Sequence, residues 1–322
     1  MKNLIFNYTL ILLSVFLIAS CNNEEKVLPK TVVENTKFKM LKLEDNIVSF
    51  ETMDDFSEFL QKANEEEKFL AEFKEQFTGF KSNYEAYEAI TASQVEDIIS
   101  NPAAYESYAK IVENNGEKYL EPIIDDANIR TVLNEKGILK IANRYYKFTY
   151  ETVYISKDFS DLDAENSMRT ANVETIDVVR GNGDTMRRPN EDCRQDYQKK
   201  TWLRTLDCRF RGRLWTTNIG SLYSGIGANT THYVKTAGIW YRDKAPMLRL
   251  KYDVNYTQST PYGNIPLTDS FDSGEENDVR RIDETFEFCL NASCEFSFDD
   301  ATSYHSGRGD AGNNFWSCNL NI

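Results

Sequence analysis

The strongest constraint on the fold is a strict alternation of apolar and polar residues in the C-terminal part of the chain. Apolar residues occupy every second position from Leu248 to Tyr256, and the same period recurs over residues 209–214 and 286–290. Because successive strand side chains point to opposite faces, this pattern predicts antiparallel strands with one buried face and one wet face. We therefore predict an all-β, antiparallel, sandwich-like domain over residues 201–322.

Residues 46–157 show a different pattern. A short apolar strand at 47–50 is followed by aromatic residues at three- and four-residue steps from Phe56 to Phe80, which is typical of an amphipathic helical stripe. The segments ILKIA, YYKFTY and VYIS come later and predict a meander of three short strands. This region is therefore predicted to be an α+β domain.

Composition separates the two regions. Residues 22–165 hold 17 basic and 30 acidic side chains, whereas residues 166–322 hold 19 and 21. The four tryptophans and five of the six cysteines lie in the second part. We predict two domains, 46–157 and 201–322, joined by a polar linker at 158–200.

The N-terminus carries a targeting signal, MKNLIFNYTLILLSVFLIASC. Lys2 provides a positive charge, residues 10–18 are apolar, and Ala-Ser precedes Cys21. This order is typical of a lipoprotein signal peptide, with cleavage between Ser20 and Cys21 and lipidation of the Cys21 thiol. We predict a signal peptide at 1–20 and a lipidated tether at 21–45, which places the mature protein outside the cytoplasm.

Two features resemble one protein family. The Cys21 signal with Glu24-Glu25 behind it, and the LNEKGILKIANRYYKFT meander, resemble Bacteroidota surface lipoproteins of flavobacterial type and unknown function. The resemblance covers residues 45–157 and, more weakly, 238–256. It implies an α+β fold and a lipid anchor at the surface of the outer membrane, and it brings no catalytic residues.

Five cysteines remain after the signal peptide is removed, enough for two disulfides and one thiol. Cys289 and Cys294 flank four residues and are predicted to bridge a hairpin end, while Cys193 could pair with Cys208 or with Cys318. An extracytoplasmic compartment permits such bonds. Zinc is disfavoured because the chain has only two histidines, and no nucleophile motif accompanies the cysteines.

Aromatic and basic residues supply the candidate ligand contacts. An exposed indole ring could stack on a sugar ring. The candidates are Trp202, Trp215, Trp240 and Trp316. Residues 180–213 hold ten basic and five acidic side chains, so this stretch either docks on the acidic first part of the chain or binds an acidic polysaccharide. The net charge of −14 argues against general affinity for nucleic acid.

One acidic loop is a candidate cation site. Oxygen ligands from a flexible loop suit calcium, although the spacing departs from the EF-hand pattern and a solvated loop is the alternative. Its residues are Asp269, Asp272, Glu275, Glu276 and Asp278. No other metal or cofactor is indicated.

The sequence predicts a surface-anchored lipoprotein that acts as a non-catalytic binding or interaction module for a glycan or protein ligand. A carboxylate-dependent hydrolase acting on polysaccharide or cell wall is one alternative, and it would need two facing carboxylates. A structural envelope or assembly protein is another. No catalytic residue is assigned, and the predicted partners are the membrane, through the lipid anchor, and the ligand.

Overall fold

The computed structural model describes residues 38–66, 68–163, 172–181, 193–202, 205–290, 294–309 and 315–321. The predicted signal peptide and lipidation site at Cys21 lie outside these residues. Residues 40–322 belong to one compact unit, which is largely β with an N-terminal α+β part. No helix in the described ranges is long and apolar enough to cross a membrane.

The helices all lie in the first part of the chain. They are α1 (Met53–Glu65), α2 (Phe69–Gln76), α3 (Asn83–Glu88), α4 (Ala92–Ser100), α5 (Ala127–Val132) and α6 (Ser160–Asp163), with a 3₁₀ turn at Pro102–Ala104. Helix α1 begins with a capping box, in which Thr52 and Asp55 bond each other's backbone N–H. The aromatic stripe is divided between α1 and α2, and its Phe59 packs edge-on against Phe50 and Phe73.

The strands of the described residues form three sheets. The strands are β1 (Leu41–Glu44), β2 (Ile47–Phe50), β3 (Ala109–Asn114), β4 (Glu117–Pro122), β5 (Ile138–Ile141), β6 (Arg144–Phe148), β7 (Thr152–Ser156), β8 (Glu174–Asp177), β9 (Val179–Gly181), β10 (Cys193–Lys200), β11 (Thr205–Ile219), β12 (Tyr223–Thr236), β13 (Ile239–Arg242), β14 (Ala245–Thr260), β15 (Gly263–Asp272), β16 (Glu276–Val279), β17 (Arg281–Leu290), β18 (Glu295–Arg308) and β19 (Phe315–Asn321).

The first sheet has the order β1-β2-β5-β6-β7-β8. Strands β2 and β5 are parallel, and the other neighbours are antiparallel. The strand predicted at 47–50 and the predicted meander, which forms β5, β6 and β7, are therefore confirmed.

The second sheet joins the two compositional parts of the chain. Its order is β10-β11-β12-β13-β4-β3, with β17 also on β12 and β9 also on β11. Strand β13 runs parallel to β4, pairing Trp240 with Tyr119. A hairpin from the first part thus completes a sheet of the second. The predicted linker at 158–200 contains β8, β9 and β10, and its segments 164–171 and 182–192 lie outside the described residues.

The third sheet has the order β15-β14-β18-β19, with β16 also on β14. The alternation from Leu248 to Tyr256 forms most of β14, and its apolar side chains are buried as predicted. They share one core with side chains of the second sheet, including Phe210 and Ile226. The second and third sheets therefore pack on each other through apolar faces.

The expectation of a wet face is wrong for β11, and its neighbour β12 is covered in the same way. Their inner faces meet the third sheet, and part of the opposite face packs on α4, where Val95 contacts the cluster that contains Val234. Twelve successive residues of β12 are buried. The polar residues that alternate along β11 therefore lie on a second face that is also covered. Two of them, Arg209 and Arg211, are only 2% and 4% exposed.

Candidate functional site

The hairpin between β10 and β11 ends in the most exposed tryptophan of the protein. Trp202 is 91% exposed and lies between Lys200 and Thr205, the last two residues that pair across the hairpin. Lys200 is also exposed, and Lys199 is half-buried. The tip therefore presents an indole ring and two neighbouring cationic side chains to solvent.

The base of this hairpin is held firmly. A disulfide joins Cys193 at the start of β10 to Cys318 on β19, with Cα atoms 6.0 Å apart. The Tyr197 ring stacks on Phe210 with centroids 5.3 Å apart, and Phe210 stacks on Trp316 at 5.2 Å. These contacts fix the strands that carry Trp202, and a fixed scaffold lowers the ordering cost of binding.

The other three candidate tryptophans are core residues. Trp215, Trp240 and Trp316 are 0%, 2% and 4% exposed. Trp240 donates its indole N–H to Glu117 at 3.3 Å and lies under the Arg209 guanidinium at 4.2 Å. These three positions are corrections to the predicted ligand contacts: Trp215 and Trp240 lie on strand segments that are covered on both faces, and Trp316 lies on the buried face of β19.

The structure forms the predicted Cys289–Cys294 bond and, of the two partners that the sequence left open for Cys193, selects Cys318. Cys289 and Cys294 form a disulfide with Cα atoms 6.8 Å apart. Cys193 bonds Cys318, and Cys208 is a buried free thiol. The pairing of β10 with β11 places Tyr197 opposite Cys208, so Cys193 lies four residues away from the position that a Cys193–Cys208 bond would need.

Both histidines are satisfied core residues. His232 faces the Asp243 carbonyl through Nδ1 at 2.9 Å, so Nδ1 carries the proton, and Nε2 accepts from the Tyr197 hydroxyl at 2.8 Å. His305 bonds Thr230 and Ser303, each at 2.8 Å. Burial lowers the pKa of His232 to about 4 and that of His305 to about 3. The ring nitrogens of both residues are occupied, so neither histidine is free to act as a base for Cys208.

The basic stretch docks on the acidic first part, one of the two interpretations the sequence allowed. Arg211 Nη1 lies 3.0 Å from Glu121 Oε1, and Arg213 Nη1 lies 3.1 Å from Asp125 Oδ1. A third strand position, Arg209, hydrogen-bonds Glu117. Alternate positions of β11 therefore meet successive carboxylates on β4 and just beyond it.

These ion pairs shift the acid equilibria. The hydrogen bond from Arg209 lowers the pKa of Glu117 to about 2. Burial disfavours the ionised form of Asp125, but Arg213 and Arg180 outweigh it and lower the pKa of Asp125 to about 2. The pairs thus remain charged over the physiological pH range.

The acidic loop does not gather into a cation site. Asp272 bonds the Arg249 guanidinium at 2.8 Å, and Asp278 forms an ion pair with Lys244. Asp269 accepts a hydrogen bond from the Tyr252 hydroxyl at 3.0 Å. Within the described part of the chain, no three acidic, histidine or cysteine side chains converge as a metal site.

Sequence reasoning missed a half-buried carboxylate on β17. Burial, with the negative charges of Asp283 and Asp269, raises the pKa of Glu284 to about 7. The nearby Tyr252 ring packs on Phe286 with centroids 4.2 Å apart. A β-bulge opposite Ile226 and Gly227 interrupts the alternation of β17, which is why spacing alone gave no signal for this group.

A pocket of about 320 Å³ opens beside α2 and α3. Its wall includes the rings of Phe73, Phe77 and Phe80, with Lys74 and Lys81 at the same opening. The sequence assigned these aromatic residues to a helical core. Phe73 and Phe80 are buried as predicted, but Phe77 is half-buried, and both Phe77 and Phe80 lie beyond the end of α2. The pocket lies where the chain turns at Gly79, whose φ is +98°.

Comparisons with known proteins show a distant structural likeness. No family model matches the chain, and no curated relative does. Among solved structures, the chain is similar to a DUF4848 family protein from Bacteroides thetaiotaomicron VPI-5482, with 12% sequence identity and a TM-score of 0.27. The match covers 88% of this chain and 100% of that one. Neither a detailed fold nor an activity follows from a likeness at this level.

Proposed function

We propose that the protein is a surface-anchored bacterial lipoprotein that acts as a non-catalytic binding module, with Trp202 as its principal ligand contact. The observation that carries this proposal is the contrast between one tryptophan at 91% exposure and three at 4% or less. A large apolar side chain that stays in water does not supply the stabilisation of about 1.5–3 kcal/mol that its burial would give to the folded state. Its position on a braced hairpin is suited to stacking on a flat ligand face, such as a sugar ring.

The cations beside Trp202 favour an acidic glycan. Lys199 and Lys200 form no ion pair with a described carboxylate, whereas Arg209 and Arg211 are occupied by the first part of the chain. An ammonium group can pair with a uronate or a sulfate. We also infer that the second and third sheets form a sandwich, which is supported by their shared core.

A binding titration with two probes tests this function. Calorimetry would compare alginate, a polyuronate, with laminarin, a neutral glucan. We expect alginate to bind more tightly and Trp202→Ala to weaken binding at least about fivefold, by analogy with the stacking of a base on an aromatic side chain, which contributes about 1–3 kcal/mol. Tyr262→Ala is the matched control because Tyr262 is 100% exposed at the tip of the β14–β15 hairpin. Equal affinity of wild type and Trp202→Ala would contradict the proposal.

The anchor needs its own test. Cys21→Ser, followed by membrane fractionation and labelling of intact cells, should release the protein from the outer membrane and abolish surface labelling. Wild-type fractionation of the variant would show that Cys21 is not the anchor.

A carboxylate-dependent hydrolase is the second candidate. It is supported by the pKa of Glu284, which is raised to about 7 beside Asp269, because a general acid must hold its proton near neutral pH. Release of reducing ends from alginate or laminarin that disappears in Glu284→Gln would favour this activity. Binding without release in the wild type would favour the non-catalytic module.

A further inference from the structure

One fully buried arginine lacks acceptors for its donors. The Arg130 side chain on α5 is 0% exposed, and its Nε, Nη1 and Nη2 have no hydrogen-bond partner among the described residues. The rings of Tyr84 and Tyr87 lie 5.1 and 5.6 Å from the guanidinium carbon. The neighbouring carboxylate oxygen, Asp283 Oδ2, is 3.9 Å from Nη2, beyond hydrogen-bond distance. Buried guanidinium groups in proteins are normally fully hydrogen-bonded.

Further unpaired groups lie near Arg130, where the Arg242 guanidinium also contacts the Tyr87 ring. The Nε atoms of Arg242 and Arg281 also have no partner in the described part of the chain, although these side chains are only 3% and 5% exposed. Asp283 Oδ2 is likewise without a hydrogen bond there. Burial, together with the positive charges of Arg242 and Arg281, lowers the pKa of Arg130. Three guanidinium groups thus repel one another in the interior.

The local charges do not balance. Arg130, Arg242 and Arg281 face Glu88 and Asp283, and Arg242 and Arg281 also face carboxylates that pair with other arginines. Over this connected network, six guanidinium groups face five carboxylates, which leaves one positive charge in excess: Arg130, Arg180, Arg211, Arg213, Arg242 and Arg281 against Glu88, Glu121, Asp125, Asp126 and Asp283. Burial raises the pKa of Asp283 despite the three arginines, and this moves the balance further toward positive charge. An uncompensated buried charge is among the most destabilising features a fold can carry.

The neighbouring carboxylates are already engaged. Glu121 accepts from Arg211 at 3.0 Å, and Asp125 accepts from Arg213 at 3.1 Å. Asp126 accepts from backbone N–H groups at the start of α5. These groups therefore do not supply the acceptor that Arg130 lacks.

We propose that Arg130, Arg242 and Arg281 together bind one small monovalent anion, a halide such as chloride, in the interior of the protein. A single negative charge matches the single excess positive charge. A spherical ion can accept several N–H bonds at once from converging guanidinium groups. The enclosure by buried side chains favours an ion that sheds its water readily over a divalent oxyanion such as sulfate.

Crystallography and thermal melting test this site together. Melting would compare sodium chloride, sodium bromide and sodium gluconate at equal ionic strength, and anomalous data would be collected from crystals in bromide. We expect one bromide peak in contact with Arg130, and a halide-dependent rise in Tm that reaches about 5 °C when the halide concentration is a hundred times its Kd and continues to grow with the logarithm of that concentration.

A variant pair separates the site from general salt effects. Arg130→Met should lose the halide-dependent rise in Tm, while Arg249→Met, which removes a surface guanidinium bonded to Asp272, should keep it. Equal Tm values in chloride and gluconate, or bromide density absent from Arg130, would overturn the proposal. If Arg130→Met does not fold, the bromide peak in the wild-type crystal decides the question.

Discussion

The buried ion pairs can be tested by replacing Arg209 with methionine. The Arg209 side chain is 3% exposed, donates to Asp196 at 2.6 Å and to Glu117 at 3.1 Å, and lies over Trp240. Methionine retains most of the packing of the side chain but removes its charge. Breaking a buried ion pair costs about 3–5 kcal/mol. Because the side chains of Glu117 and Asp196 are 25% and 56% exposed, we expect a loss of stability at the lower end of this range, about 3 kcal/mol.

Urea and thermal unfolding, followed by circular dichroism, would measure this loss. For a compact unit that spans residues 40–322, about 3 kcal/mol corresponds to a fall in Tm of about 5 °C. The loss should also depend on pH. Arg209 lowers the pKa of Glu117 from 4.5 to about 2, so the stability it supplies is present above pH 4.5 and disappears as the pH falls toward 2. The difference between wild type and variant should narrow over the same range.

The matched control is Arg249→Met. Arg249 also bonds one carboxylate through two nitrogens, but Arg249 and its partner Asp272 are both 36% exposed. Exposed ion pairs of this kind contribute little to the free energy of unfolding, so the unfolding midpoint of Arg249→Met should stay close to that of the wild type. Equal losses in Arg209→Met and Arg249→Met, or a loss in Arg209→Met that does not change with pH, would refute the reasoning.

Three further predictions follow from the described contacts. Cys193→Ser should lower the free energy of unfolding in urea by about 5 kcal/mol, because the bond to Cys318 closes a loop of 125 residues. Among the described cysteines of the wild type, only Cys208 should react with iodoacetamide, and only after unfolding. Glu284→Gln should have the same urea midpoint as wild type at pH 4.5 and a higher midpoint than wild type at pH 8. The pKa of Glu284 is raised from 4.5 to about 7, so the stability that its protonated form supplies is lost as the pH rises through that value. A difference between the two midpoints that is the same at both pH values would contradict this. Gly212→Ala should lower stability by up to about 3 kcal/mol, because an added Cβ would overlap the ring of His305, and a wild-type melting curve would show that the two sheets can separate there.

Local patterns predicted the parts of the fold whose environment is local. The alternation in β14 predicted its buried face, and the spacing of aromatic residues from Phe56 onward predicted the helices α1 and α2. The meander of β5, β6 and β7 was also predicted, because its strands pair with their neighbours along the chain.

Contacts between distant residues account for what the sequence did not predict. Arg211 looks like a solvent-facing residue in the alternation of β11, but its partner Glu121 lies 90 residues earlier. The same coverage buries Trp215 and Trp240. The choice of Cys318 over Cys208 as the partner of Cys193 depends on how the second and third sheets pack, which spacing along the chain does not encode.

Quenching of tryptophan fluorescence during a titration with alginate tests the central claim most directly. Trp202 is the tryptophan that solvent reaches, whereas the other three are buried, so acrylamide should quench chiefly the emission of Trp202. If the β10–β11 hairpin binds the glycan, alginate should protect this quenchable fraction in a saturable manner, and laminarin should protect it less. Unchanged quenching at alginate concentrations that saturate binding by calorimetry would show that the ligand binds elsewhere and would contradict the account.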